Sequence, residues 1–355
     1  MMNTKQIFMD AETAYMESGI VYLFGSSFNL LYSYDINTKR IEILGKIPKY
    51  EFISAKLIGR ILKWKDKIIL LPFMANEVWI WDMGNGQWQE IEIEDASSYK
   101  MLFYQGFIHH DEIHMIGCYY PAIVRINMNT MDLSYDRRIY DEIDNSGNKN
   151  DGIYFRTEYI KNDNTVIMGC CNTNRILKYN LDSYEYELAE VGDKKNDYEG
   201  VTLINDHMVL FGRHEQSIFN LEGKQEKKEI PEEIDCHYMA TVLGDGKYIL
   251  LSSVNGNSCV IDDAGFSLYD EQSLFCEKTD NCNYIYVSNQ YVLNIVVDGK
   301  KMLSEKLWIK DAESEKKFID LLAQEHVMAE SELVSLELFV KAVSCREDKN
   351  ESITG

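Results

Sequence analysis

Proline is scarce: Pro48, Pro72, Pro121 and Pro231 are the four in 355 residues. That suits a chain committed to hydrogen-bonded ladder, where a residue without an N–H breaks the pairing. Long apolar runs are missing as well, since no stretch approaches the roughly 18 residues that a membrane-spanning helix needs. Basic charge is in deficit, with 36 Lys and Arg against 58 Asp and Glu and a net charge of −22. Such a surface repels phosphate backbones, and with no local basic stripe, nucleic acid is excluded as a partner. The start, MMNTKQIFMDAETAYMESG, lacks a basic-then-apolar run and a small-residue cleavage site, so a cytoplasmic location and no membrane partner are expected. The eight cysteines (Cys118, Cys170, Cys171, Cys236, Cys259, Cys276, Cys282 and Cys345) form no CxxC pair and meet no histidines at ligand spacing. Reduced structural thiols are therefore expected, with no metal and no other cofactor. A phosphate-binding Walker loop, GxGxxG, HExxH, GxSxG and an EF-hand pattern are all absent in the right context.

What is present is a repeat. Apolar segments close at Gly25, Pro72, Gly117, Gly169, Gly212, Ser252 and Ser288, at intervals of about 36 to 52 residues. Six residues before each end lie Gly19, Asp66, Asp111, Asp163, Asp206, Gly246 and Cys282, mostly types that tolerate a left-handed hairpin turn. Beyond each end an Asx follows another apolar strand: Asp35, Asp82, Asn127, Asn180, Asn220, Asp262 and Asp298. A further alternating segment comes next, as in RIEIL at 40–44 and QWQEIEI at 87–93. Four short antiparallel strands per unit make the blade of a β-propeller, in which no blade can bury both faces alone. A β-sandwich would not repeat a small residue and an Asx at fixed offsets. The reading is an all-β propeller of about seven four-stranded blades over 1–309, or six with an irregular closure.

VYLFG…LLYSYDINTKRIEIL and VWIWDMGNGQWQEIEI resemble the kelch repeat, with a hydrophobic strand ending in glycine, an aromatic–Asp closing the third strand, and a second aromatic seven positions on. The spaced pairs are Tyr34/Ile41, Trp81/Trp88, Ile126/Leu133, Tyr179/Tyr186 and Ile261/Leu268. The family's double glycine is reduced here to a single Gly or replaced by Pro72, Ser252 or Ser288. The resemblance implies a propeller scaffold, which hosts enzymes, sugar binders and protein-interaction modules alike.

After Trp308 the pattern changes to helix. Residues 311–346 hold no Gly or Pro, and Phe318, Leu322, Ala329, Leu333, Leu336, Val340 and Val343 follow helical spacing behind a capping Asp311. This stripe over 318–343 either lies on the propeller or pairs with a second copy as a homodimer, and 347–355 reads as a disordered tail. A helix this acidic does not suit a membrane surface.

Counting back from each strand end puts Glu12, Arg60, Gln105, Arg156 and Glu199 at the start of the innermost strands, around the axis. Two arginines and two glutamates there form either mutual salt bridges or a ring for an anion or sugar. The loops on the same face supply Tyr119, Tyr120, Arg213, His214, Glu215, His237 and Tyr238. His109 and His110 adjoin a hairpin on the opposite face and are expected to face solvent. The polar segment NSGNKNDG at 145–152 is a candidate lid or contact loop. Two functions follow. The first is a non-catalytic module binding a protein, peptide or small saccharide on one face. The alternative is a sugar-active mutarotase, epimerase or hydrolase with Glu12 or Glu199 as acid or base.

Overall fold

The computed structural model describes residues 7–8, 11–25, 28–50, 56–145, 152–156, 159–171, 173–192, 198, 200–204, 207–211, 215–219, 225–229, 238–243, 248–253, 258–262, 265–269, 275–278, 283–287, 292–298, 301–306 and 308–324. Among these, seven four-stranded antiparallel sheets form in chain order, each from four consecutive strands. The first sheet comprises Thr13–Glu17, Ile20–Gly25, Leu30–Asp35 and Arg40–Lys46. The first strand of each sheet lies inward: those of the first three sheets neighbour one another, as do those of the last four, and the seventh meets the first. The chain is a β-propeller. A short strand Ile7–Phe8 pairs antiparallel with Trp308–Ile309, so the ends of the ring are tied together. No helix among the described residues is long and apolar enough to cross a membrane.

The blade is built by local chemistry that recurs in the first four units. Second strands end at Gly25, Pro72, Gly117 and Gly169, as expected. In the fifth to seventh sheets they end at Phe211, Ser253 and Val287. Third strands of the first four sheets end on an Asx whose Oδ1 accepts two backbone N–H groups. Asp35 takes those of Asn37 and Thr38 at 2.8 and 3.2 Å, and Asn180 those of Asp182 and Ser183 at 3.0 and 2.9 Å. Asp82 and Asn127 do the same. The following residue donates back to the first hairpin of its own blade, as in Ile36 to Gly19 at 3.0 Å and Leu181 to Asn164 at 2.7 Å. The fourth residue after each Asx (Lys39, Gly86, Met131, Tyr184) turns left-handed. The paired residues Tyr34/Ile41, Trp81/Trp88, Ile126/Leu133 and Tyr179/Tyr186 stand directly opposite across the third and fourth strands. Ile261 instead faces Phe266, because the turn in the sixth sheet is tighter, so the expected partner Leu268 lies opposite Cys259.

Apolar cores lie between neighbouring sheets. Ile61, Leu70 and Trp79 pack towards the first sheet's Phe24 and Leu31, and Leu71 and Val78 towards the third sheet's Phe103 and Met115. Between the third and fourth sheets the chain inserts a helix the sequence reading did not anticipate, α1 (Arg138–Asn145). Its Ile139, Tyr140 and Ile143 fill the wedge between Phe107 and Ile116 on one side and Val166 and Met168 on the other. The segment NSGNKNDG begins on its last residue, and 146–151 lie outside the described residues.

The second helix, α2 (Ala312–Gln324), starts with Asp311 Oδ1 accepting the Ser314 N–H at 2.8 Å, the cap the sequence announced. It covers the outer strand of the first sheet, an edge whose carbonyls would otherwise stay unpaired. Ser314 Oγ donates to the Ile41 carbonyl at 2.8 Å and Lys317 Nζ to that of Ile43. Phe318 meets Phe28 edge to face at 5.0 Å between centroids, and both rings are buried. The first turns of the expected homodimer stripe are thus used within the chain. Residues 325–355, including the rest of the stripe and the expected disordered tail, lie outside the described residues.

Gly59 lies on the second sheet's inner strand where a Cβ would fall on the Phe103 carbonyl of the third. Gly59→Ala is expected to lower stability by about 3 kcal/mol through overpacking, read as a lower urea midpoint. Phe318→Ala should cost a similar ~3 kcal/mol by opening the α2 seat. A midpoint unchanged in the second variant would show that α2 does not support the ring.

Candidate functional site

In an antiparallel four-stranded blade, the start of strand one, the end of strand two and the start of strand three share one face, here called the upper face. Lys56 enters it just before the inner strand Ile58–Trp64, its Nζ 5.3 Å from the centre of the Phe73 ring and 5.5 Å from that of Tyr104. Both rings offer their faces to the cation. Burial pulls the Lys56 pKa down, Glu12 opposes that, and Arg60 adds to it. Cys118, which follows the second strand of the third sheet, is pushed well above its usual range by burial and by the Cys171 thiol, against the pull of Arg156 and Lys56. Tyr104 is raised by burial and Cys118, with Arg156 opposing and Tyr119 and Cys171 also in range. Glu12, Lys56, Arg60, Tyr104, Cys118, Tyr119, Arg156 and Cys171 therefore occupy one electrostatic neighbourhood, drawn from four sheets.

Of the expected residues, Glu12, Arg60, Arg156 and Tyr119 meet there. Lys56, Tyr104, Cys118 and Cys171 complete the group and were not singled out as site residues. The register of both inner strands shifts at their start, between Ile58 and Arg60 and between Phe103 and Gln105. Such a bulge re-aims the first side chains, which a strict two-residue period cannot follow. Gln105, at the register position that Arg60 holds in the second sheet, is buried. Tyr120 is not on the face at all. Its ring is buried against Tyr99 and Phe103, and its hydroxyl donates to the Glu94 carbonyl at 2.8 Å, so it belongs to the core between the second and third sheets. Glu215 opens the strand Glu215–Phe219 rather than sitting in a loop, and Tyr238 opens the inner strand Tyr238–Leu243 opposite Ser253. Glu199, Arg213, His214 and His237 lie outside the described residues.

The lower face carries the hairpin turns. His110, expected in solvent, is exposed, but His109 turns under the hairpin, its Nε2 2.6 Å from Asp182 Oδ1 of the fourth sheet. Beneath them His114 is fully buried, stacked on Phe107 with centroids 5.9 Å apart and 6.1 Å from both Tyr179 and Tyr184. Its pKa is pushed down to about 3 by burial first, then by Arg125 and His109, with Asp182 opposing.

No family profile and no curated protein sequence matches the chain. Solved structures do. A catalytically inactive virginiamycin B lyase from Staphylococcus aureus with quinupristin matches with a TM-score of 0.63 at 13% identity, over 83% of this chain and 97% of the lyase. A streptogramin B lyase gives 0.58 at 14% identity, over 85% and 97%. BamB from Moraxella catarrhalis gives 0.54 at 10% identity, over 82% and 98%. The likeness is one of propeller fold.

His114 sets a pH dependence. Unfolding raises its pKa from about 3 to about 6.5, so the unfolded chain binds the extra proton between those values and stability falls as pH drops through that window. The loss approaches roughly 1.4 kcal/mol per pH unit. His114→Phe, which keeps an aromatic ring in the stack, is expected to flatten the acid limb of urea-derived stability between pH 6.5 and 4. An unchanged limb would assign it to other groups.

Proposed function

We propose that this propeller is a binding module that takes an anionic group of a protein or peptide partner on its upper face. The observation that carries the reading is the gathering of Lys56, Arg60 and Arg156, with Glu12 among them, in a chain whose net charge is −22. Cations gathered at one place repel one another, which a further carboxylate joining Glu12 offsets, and guanidinium forks suit carboxylates bidentately. Phe73, Tyr104 and Tyr119 supply ring surface beside those charges, as interaction sites generally do. A kelch-like ancestry is part of this reading, supported by Trp81/Trp88 and the other opposed pairs at seven-residue spacing. Solved propellers of like fold include a lyase and PorZ, a surface component of a secretion system, so the scaffold accommodates both kinds of work. The catalytic alternative needs Glu12 or Glu199 as general acid or base. Glu12 serves here as a counter-charge to Lys56, which favours binding.

The test is a thermal-shift series with acidic peptides and sugar acids on the wild type and on Arg156→Ala. A ligand at a hundredfold excess over its Kd should stabilise the protein by about 2.7 kcal/mol. The shift from acidic peptides should vanish in the variant and shrink at high salt. A shift from sugar acids alone would move the reading to a saccharide. Equal shifts in both proteins would place binding elsewhere and end the proposal.

A further inference from the structure

The lower face holds a second constellation, independent of the upper one. His109 and His110 sit at the first hairpin of the third sheet, where His110 turns left-handed at φ 54°, and this brings two consecutive imidazoles to the same side with ring centres 4.1 Å apart. Asp182 comes from the Asx turn of the fourth sheet, 72 positions further along the chain. Its Oδ1 lies 2.6 Å from His109 Nε2 and 3.3 Å from His110 Nε2, and one ligand atom from each of the three residues falls within 4.8 Å of the others. The carboxylate is aimed by its neighbours, because Asn164 Nδ2 donates to Oδ2 at 3.0 Å and leaves Oδ1 to the imidazoles. The hydrogen bonds from Asn164 and His109 hold the Asp182 carboxyl down at about 2, so it is anionic at neutral pH. His110 is 79% exposed and Asp182 50%, whereas His109 is 14% exposed and fixed beneath them.

We propose that His109 Nε2, His110 Nε2 and Asp182 Oδ1 form a divalent transition-metal site that clamps the third and fourth sheets together at the lower face. Two imidazole nitrogens with one carboxylate oxygen suit zinc or its neighbours rather than magnesium or calcium, which favour all-oxygen shells. Nitrogen and oxygen ligands at about 2.0–2.2 Å from a tetrahedral ion stand roughly 3.3 Å apart, the present separation of His110 Nε2 and Asp182 Oδ1. Binding replaces the contact between His109 Nε2 and Asp182 Oδ1, which move apart by several tenths of an ångström. The fourth position opens to solvent. The clamp also has a structural logic: this seam is the one wedged open by α1, and the metal ties the end of the seam that the helix does not fill.

The experiment titrates chelator-treated full-length protein with zinc chloride by calorimetry near pH 7.5, beside His110→Ala and Asp182→Asn. Neither residue belongs to the upper face. The expected result is one site whose affinity falls at least tenfold in each variant, a higher melting temperature with zinc in the wild type only, and no response to millimolar magnesium. Cobalt substitution should give visible absorption bands without a thiolate charge-transfer band, and these bands should be lost in His110→Ala. Absence of stoichiometric zinc binding overturns the proposal. So does equal affinity in His110→Ala, or a thiolate band that places the metal on cysteine. His110 is so exposed that its variant is expected to fold even where Asp182→Asn does not, and it then decides alone.

Discussion

Where neighbouring blades meet at the upper face, the backbone runs in a continuous belt of hydrogen bonds from sheet to sheet. The Leu57 carbonyl accepts from Phe73 at 2.8 Å, Phe73 from Leu102 at 2.7 Å, Leu102 from Cys118 at 2.6 Å, Cys118 from Tyr154 at 2.7 Å, and Tyr154 from Cys171 at 2.9 Å. All six residues are buried, so each peptide group left unpaired would cost about 1–3 kcal/mol. The belt alternates between a residue just before an inner strand and one just after a second strand, which fixes each blade against the next. It also builds the site. Lys56 and Tyr119 are chain neighbours of belt residues, and Tyr104 follows two after Leu102. With the backbone polar groups consumed in the belt, the adjacent side chains are left to define the chemistry of the face.

The belt survives an insertion. Between Gly117 and Gly169 the repeat is at its longest, and the extra chain forms α1, yet Tyr154 still reaches Cys118 across that seam. Tyr140 of α1 takes part directly, its hydroxyl accepting the Gly117 N–H at 2.8 Å while its ring stands edge-on to Tyr154 at 4.8 Å. The buried phenol is raised well above its ordinary pKa, chiefly by burial, and so stays neutral. The helix replaces sheet-to-sheet contact with helix-to-sheet contact while the backbone register on either side is kept. That is why the blade spacing could stretch without disturbing the residues that line the upper face.

What the sequence announces and what it hides divide along the range of the interactions. The Asx turns, the strand-ending glycines and the cap at Asp311 were legible because each is satisfied within four residues. The left-handed position four after each Asx was not, since Lys39, Met131 and Tyr184 are held there by the turn rather than by preference. α1 went unread because RIYDEIDN is two turns long and shows too little of a helical period. At the site, Arg60, Arg156 and Glu12 were found by counting along strands, but Tyr104, the extra residue of the bulge after Phe103, was not. Tyr120 was misplaced because its neighbour Tyr119 does face the site, whereas its own ring contacts with Tyr99 and Phe103 and its hydrogen bond to Glu94 turn it the other way. The approach of His109 to Asp182 joins two blades and leaves no local trace.

The same repeat that builds the described blades sorts their charged groups between two faces. In the described blades the turns between strands one and two and between strands three and four face down, and four of their carboxylates are held ionised by local partners. Asp35 is lowered by the Thr38 N–H, Asp82 by Lys67, Asp111 by Asn129 and Trp64, and Asp182 by Asn164 and His109. The inner-strand starts face up and bring Lys56, Arg60 and Arg156 together. Among the described residues the lower turns thus carry fixed carboxylates, while the upper face gathers three cations beside Glu12. Asp35 and Asp82 are also the Asx that close their turns, yet Asn127 and Asn180 close the same turns without charge, so the turn belongs to the side-chain oxygen and the charge is an addition to it.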